Sequence, residues 1–334
     1  MTFFSAFAAM SAKQSLVPFK YEPSALGAAD VEVQISHCGI CHSDLHLIDD
    51  DWSTSAYPLV PGHEIVGIVS AAGERCTLAI GQRVGIGWQR SACHECEQCL
   101  AGRENLCPSQ QATCVGNMGG FADRIRADGR FVFPLPDALD SAAAAPLLCG
   151  GATVFAPLRR WSVGAGARLG VIGVGGLGHL ALRFGRAMGC RVTAFTSSAD
   201  KRDEALLLGA EGVVSSTNAK EILAHHSEFD FLLCTVPARL DWITYLRTLK
   251  PNGVLCLVGA PPGLLQIPAA LLLTGQRAIC GSDIGSPAAI REMLVFAAEH
   301  RIGAQVERAP MADVNAALQR VRENRVRYRA VLTN

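Results

Sequence analysis

The spacing of apolar residues changes character near the middle of the chain. Over residues 1–149 they fall in short β-branched or alternating runs: VEVQIS (31–36), EIVGIVSAAG (64–73) and GQRVGIG (81–87). Such runs, bounded by turn residues, predict short strands with many turns. The apolar N-terminus MTFFSAFAAM has no basic residue before Lys13 and is interrupted by serines, so it predicts a first strand rather than a signal peptide. From Arg168 onward apolar strands alternate with helical stretches. The strand candidates are RLGVIG (168–173), RVTAFT (191–196), EGVVSS (211–216), FDFLLCTV (229–236), GVLCLVG (253–259) and AICGSD (278–283). Helix candidates between them include LGHLALRFGRAMG (177–189) and DKRDEALLLG (200–209). Six short apolar strands separated by helices imply an α/β fold with a doubly wound parallel sheet. From Pro287 the pattern becomes AAIREMLVFAAEH, then MADVNAALQRVREN, then YRAVL, a return to the first domain. The expected domains are therefore 1–149 with 288–334, and 150–287.

Composition narrows the class. Hydrophobic residues make up 49% of the 334 and charged residues 18%, which supports a packed core. Lys+Arg and Asp+Glu balance at 30 each, so no positive field draws nucleic acid or an acidic membrane surface. No apolar run approaches the ~20 residues of a membrane span. Thirteen cysteines are many, and four of them fall within fifteen residues. That clustering favours metal over disulfides and places the chain in the reducing cytoplasm.

Cys93, Cys96, Cys99 and Cys107 are spaced C-x2-C-x2-C-x7-C. Four thiolates from one loop can close a tetrahedron around Zn2+ and tie down a small lobe, about 88–110. An iron–sulfur cluster is the rival, since Cys107 precedes a proline, but the last spacing is too long for a ferredoxin run. A second set is scattered: Cys38, Cys41, His42 and His46 in HCGICHSDLH, His63 and Glu64 in PGHE, and Cys149 before two glycines. Singly, each could be a core residue. Two sulfurs and one nitrogen would leave a coordination position open, as a catalytic zinc requires.

Gly173, Gly175, Gly176, Leu177 and Gly178 belong to a G-x-G-x-x-G that follows an apolar strand and opens a helix. In that context the glycines permit a tight turn and close approach of a pyrophosphate to a helix N-terminus. An NAD-binding chain would usually place an acid about twenty residues on. Here stand Thr196, Ser197 and Ser198, then Lys201 and Arg202. Hydroxyls and Lys201 can hydrogen-bond a 2′-phosphate, which favours NADPH. Ser198 could equally cap the next helix.

GICHSD, YPLVPGHE, VGIGW, the four-cysteine lobe, PLLCGGATVF and GVIGVGGLGHLA, in this order, resemble the zinc-dependent medium-chain alcohol dehydrogenases. The likeness covers essentially the whole chain and lies in the cinnamyl alcohol dehydrogenase branch, nearest the bacterial broad-range NADPH-dependent aldehyde reductases. It implies a GroES-like β-rich catalytic domain beside a Rossmann domain. It implies two Zn2+ per chain, the catalytic one held by Cys41, His63 and Cys149, with Glu64 beside it as an occasional ligand and Asp44 anchoring His63. It further implies that Ser43 and His46 relay the proton, that His42 meets the cofactor pyrophosphate, and that Thr153 and Val258 contact the cofactor. Trp52 and Ile284 would line the substrate pocket. Asp283 stands where plant cinnamyl alcohol dehydrogenases tend to carry an aromatic, which favours a broader range of aldehydes. The implied activity is reduction of aldehydes to primary alcohols, in a homodimer joined through the AICGSD strand. NAD-linked alcohol oxidation and a non-catalytic NADPH sensor are the alternatives. The sensor predicts loss of a catalytic-zinc ligand, and none is missing.

Overall fold

The computed structural model describes residues 3–334. Two compact units emerge, one running to Ala152 and resuming over Gly285–Asn334, the other Thr153–Ile284. The second unit is three residues shorter at each end than the expected 150–287. The first turn of the linking helix stays with the first unit, where Gly151 lies against Leu147 and Met293.

The first unit begins with β1 (Phe4–Ala8), β2 (Val17–Tyr21), β3 (Asp30–Ile40), α1 (His42–Asp49), β4 (Glu64–Ala72) and β5 (Arg83–Ile86). Then follow β6 (Gln89–Ser91), α2 (Glu97–Leu100), β7 (Gln111–Ala112), β8 (Arg124–Asp128), β9 (Val132–Pro134) and α3 (Ser141–Ala144). The linking helix is α4 (Gly150–Arg160). The second unit alternates β10 (Arg168–Ile172), α5 (Gly178–Ala187), β11 (Arg191–Thr196), α6 (Arg202–Leu207), β12 (Gly212–Ser215) and α7 (Ala219–Leu223). It ends with β13 (Phe229–Cys234), α8 (Trp242–Thr248), β14 (Leu249–Leu257), α9 (Ala269–Leu273) and β15 (Ala278–Gly281). The return to the first unit is α10 (Pro287–Glu299), β16 (Val306–Pro310), α11 (Val314–Arg322) and β17 (Arg329–Thr333).

In the first unit the main sheet runs β16-β17-β3-β4-β5-β9, with β8 also paired to β3. β3 is its long central strand. Val31, Val33 and Ile35 alternate into a core shared with Leu45 and Leu47 of α1 and Leu318 and Val321 of α11. The apolar N-terminus does form a strand, β1, paired antiparallel with β2.

In the second unit all six strands are parallel in the order β12-β11-β10-β13-β14-β15. This is the doubly wound order, and it reverses between β10 and β13. Loops at the carboxyl ends of those two strands are where such sheets bind ligands. The strands are continuous apolar runs because helices cover both faces.

Candidate metal and nucleotide sites

Antiparallel pairing of β3 with β4 sets Gly39 opposite Glu64, so Cys41 and His63 emerge at the same end of the sheet. Cys41 is the N-cap of α1, in extended conformation at φ −108° and ψ 156°. Asp44, three residues on, accepts the Cys41 backbone N–H at 2.8 Å. Its other oxygen accepts the Gly62 N–H at 2.9 Å and lies 3.1 Å from His63 Nδ1. A proton on Nδ1 satisfies that contact and leaves the Nε2 lone pair free. Nε2 is buried and has no hydrogen-bond partner. Cys149 arrives from the segment before α4. One ligand atom from each of Cys41, His63, Glu64 and Cys149 lies within 4.8 Å of the others.

The charges in this pocket are strongly coupled. The hydrogen bond between the two thiols pulls Cys41 well below the usual thiol range and pushes Cys149 well above it. Burial works against a charged His63, but the Asp44 carboxylate and Cys149 outweigh it and raise the imidazole. Burial pushes Glu64 up to about 7, against the pull of Arg329. Arg329 of β17 forms a buried ion pair with Glu64 Oε1. Glu64 Oε2 is buried without a partner. A Cβ on Gly39 would stand 2.1 Å from that oxygen, so only glycine leaves the carboxylate its place.

The four-cysteine lobe forms a second cluster, its sulfurs all within 4.8 Å of one another. Cys93 Sγ lies 3.9 Å from Cys99 Sγ and 3.5 Å from Cys107 Sγ. Four sulfurs bound about 2.3 Å from one zinc ion would stand about 3.8 Å apart. Backbone N–H groups of Cys96 and Ser109 point at Cys93 and Cys107 sulfurs, each at 3.4 Å. N–H groups of Glu95 and Cys96 hold Cys93 down to about 6. Asp44, His63 and Cys114 make a third group, but it shares His63 with the first. Cys114 Sγ is 4.0 Å from His63 Nδ1, and burial raises its thiol, so it belongs to the packing around His63.

The relay candidates share α1. Ser43 Oγ is 3.7 Å from Cys41 Sγ. His46 Nδ1 is 2.7 Å from Asp51 Oδ2, and its ring lies 5.1 Å from that of Trp52. His42 opens α1 and is exposed. Trp52 meets Trp88 edge-on at 6.4 Å, and Trp88 meets His63 edge-on at 4.9 Å. Both indoles line a cavity of about 560 Å³ together with Thr54, Gln110 and Asn117.

In the second unit, Gly173 follows β10 with φ +95°, and a Cβ there would strike Val236 at 2.2 Å. A Cβ on Gly178 would sit 1.9 Å from the Gly173 carbonyl oxygen. Gly175 faces open space, with nothing within 4 Å of its would-be Cβ. The turn is thus tight at its ends and bare at its middle, as a pyrophosphate needs. Gly176 and Leu177 complete it before α5. Lys201 Nζ donates to the Val174 carbonyl at 3.0 Å, which brings it over this turn. Thr196 ends β11 and its Oγ1 accepts the Ser198 N–H at 3.2 Å. Ser198 stands at an N-cap position, but its side chain makes no capping bond. Ser197 is exposed, Val258 follows β14, Thr153 lies in α4, and Ile284 is buried.

Three residues were missed in the sequence: Arg329, Trp88 and Cys114. Arg329 alone leaves a signal there, as a charge inside the apolar run YRAVL.

Comparison with known proteins agrees with this geometry. Residues 27–137 match the alcohol dehydrogenase GroES-like domain, and 176–299 match the zinc-binding dehydrogenase domain. The aldehyde reductase AdhA of Synechocystis is 46% identical, covering 98% of each chain. The cinnamyl alcohol dehydrogenase SbCAD4 of Sorghum bicolor superimposes with a TM-score of 0.96 at 38% identity, covering 99% of this chain and 98% of that one. The cinnamyl alcohol dehydrogenase of Helicobacter pylori, solved with NADP(H), superimposes at 0.92 with 31% identity over 99% and 98%. The chain therefore belongs to the zinc-dependent medium-chain alcohol dehydrogenases, in the branch of aldehyde reductases and cinnamyl alcohol dehydrogenases.

Proposed function

We propose that this oxidoreductase reduces aldehydes to primary alcohols with NADPH, at the pocket of Cys41, His63 and Cys149. The observation that carries the proposal is the buried, partnerless His63 Nε2 facing two thiols. Cys41, His63 and Cys149 would hold the catalytic zinc, and Cys93, Cys96, Cys99 and Cys107 the structural one. When bound, zinc supplies a Lewis acid for the carbonyl oxygen, and reduced nicotinamide supplies the hydride.

The rest falls to the chain's own side chains. Asp44 fixes the His63 tautomer and ring plane. Arg329 holds one Glu64 oxygen while the other is buried without a partner, and a Glu64 oxygen lies within 4.8 Å of the other ligand atoms, so Glu64 can serve as an alternative ligand. Ser43 donates a proton to the alcohol oxygen, and His46, steadied by Asp51, restores it from solvent. The Trp52 and Trp88 rings offer flat apolar walls to the carbon skeleton. His42, Thr153, the glycine turn and Val258 bind the dinucleotide. Thr196, Ser197, Ser198 and Lys201 take its 2′-phosphate, and no acid stands at the end of β11 to repel it.

Two coarser readings accompany this. The free edge of β15 can pair with a second copy, giving a homodimer. Unbridged cysteines throughout the described residues suit the reducing cytoplasm. No single described helix is long and apolar enough to cross a membrane.

The test is turnover of an aldehyde panel with NADPH or NADH, with Cys41→Ala as control. Turnover with NADPH, little with NADH and none in the control is expected. Tight NADPH binding by zinc-loaded protein with no turnover of any aldehyde would reject the reductase in favour of a sensor.

A further inference from the structure

The cavity beside Trp52 and Trp88 is lined wholly by residues of the first unit. Two links fix part of its wall. The Thr113 N–H donates to the Trp88 carbonyl at 2.7 Å, and Ala112 is the register partner of Gln89 in the β6–β7 pair. The stretch from Gln110 to Asn117 is thereby tied alongside the Trp88 backbone. The two indoles stand at 81° to each other, a corner that can take a flat ring against one face and one edge. At about 560 Å³ the space is of the usual size for a small-molecule site.

The polar groups opposite the indoles are amides. Gln110 Oε1 is buried and has no hydrogen-bond partner. Asn117 spends its Nδ2 on two backbone carbonyls, that of Ala112 at 3.0 Å and that of Val115 at 3.2 Å. Its Oδ1 is then the polar end it can offer the cavity. A buried amide oxygen left alone costs free energy, and a donor arriving with a ligand removes that cost. No charged side chain is among the described residues that line the cavity. A carboxylate or ammonium at the far end of a ligand would enter without a counter-ion. A hydroxyl is neutral and can donate to an amide oxygen, so it suits this wall.

We propose that Gln110 sets specificity at the far end of the substrate by accepting a hydrogen bond from a hydroxyl remote from the aldehyde, with Asn117 as a second acceptor in the same cavity. The pocket then prefers neutral, hydroxylated aryl aldehydes to hydrocarbon or carboxylated ones of the same size. This rests on the reading of the chain as an aldehyde reductase. The aldehyde end points toward His63, whose ring Trp88 meets edge-on at 4.9 Å, and the aryl ring lies in the corner of the two indoles. Trp52, Thr54 and Gln111 on the rim are exposed, so water can reach the amides when no hydroxyl is present. The preference is therefore about tenfold, not the several thousandfold of a sealed polar site. Because the contact is remote from the reacting carbon, it acts on KM and leaves kcat nearly level.

The experiment compares 4-(hydroxymethyl)benzaldehyde with 4-ethylbenzaldehyde, which has the same shape without the hydroxyl, and with 4-carboxybenzaldehyde. Zinc-loaded enzyme and NADPH give kcat and KM, and quenching of tryptophan fluorescence by the three corresponding benzyl alcohols gives Kd without turnover. The hydroxymethyl compound should have a KM and a Kd about tenfold below the ethyl compound, and the carboxylate should be the poorest. Gln110→Met should bring the first two within about twofold of each other. Gln110→Lys should lower KM and Kd for the carboxylated compound at least tenfold, a gain that mere loss of structure cannot produce. Equal KM and Kd for the hydroxymethyl and ethyl compounds in the wild type would overturn the proposal and leave the reductase reading intact. So would a tenfold preference that survives in Gln110→Met. Selective binding of the hydroxylated alcohol with no turnover of any aldehyde would support the Gln110 contact and reject the reductase reading instead.

Discussion

Asp44 meets three donors with one buried carboxylate: the Cys41 N–H, the Gly62 N–H and the His63 ring. It therefore orders the helix cap, the glycine turn before β4 and a metal ligand at once. Asp44→Asn keeps the shape but turns one acceptor into a donor and removes the negative charge behind His63. Zinc at the Cys41–His63–Cys149 pocket should bind about 10–100-fold more weakly. Competition with a chelator measures this, and the four-cysteine zinc should be unaffected. Equal loss of both metals would mean that Asp44 acts on overall stability instead. The ligands themselves were legible in the sequence because Cys41 and His63 sit in dense local motifs. Arg329 was not, because its partner Glu64 is 265 residues away and only the β17–β3–β4 order of strands joins them.

At the scale of elements, Glu32 binds strands together as Asp44 binds loops. From β3 its carboxylate accepts from Arg126 at 2.7 and 2.9 Å, from Arg124 at 3.1 Å and from Ser70 at 3.1 Å. Burial raises its pKa, but these bonds outweigh burial and leave it below the ordinary 4.5. A carboxylate with a lowered folded pKa stabilises the fold above its unfolded pKa, and that stability is lost as pH falls through the folded value. Glu32→Gln should thus cost about 1–3 kcal/mol at neutral pH. The deficit should shrink below pH 4.5, as urea midpoints at several pH values would show. A deficit constant down to acid pH would contradict the charge-based account. The glycine turn divides in the same testable way. Gly178→Ala should lower the melting temperature through its clash with Gly173. Gly175→Ala should fold normally yet weaken NADPH binding, because its Cβ enters the space kept for the pyrophosphate. Strands and the β10–α5 turn were legible from apolar runs and glycines. α1 was not, because HSDLHLID shows no clear apolar stripe; its only sequence mark is the three-residue step from Cys41 to Asp44.

At the scale of the whole molecule, the chemistry is divided along the chain. Both metal clusters are built wholly from the first unit, and the glycine turn with Lys201 wholly from the second. Metal loss and nucleotide binding should therefore separate. The Cys41–His63–Cys149 pocket offers three protein ligands beside Glu64, whereas the cysteine lobe can close all four positions with thiolates. An open site exchanges more readily than a closed one. Graded treatment with a chelator should remove one zinc first, and aldehyde turnover should fall in step with it while NADPH fluorescence still reports binding. The second zinc should leave later and take the melting temperature down with it, because the lobe has little apolar core of its own. Turnover that survives loss of the first zinc would remove the metal from the reaction. NADPH binding that disappears with the first zinc would show instead that the nucleotide site depends on the metal pocket, and that the sequence boundary near Gly150 does not divide the functions as it divides the fold.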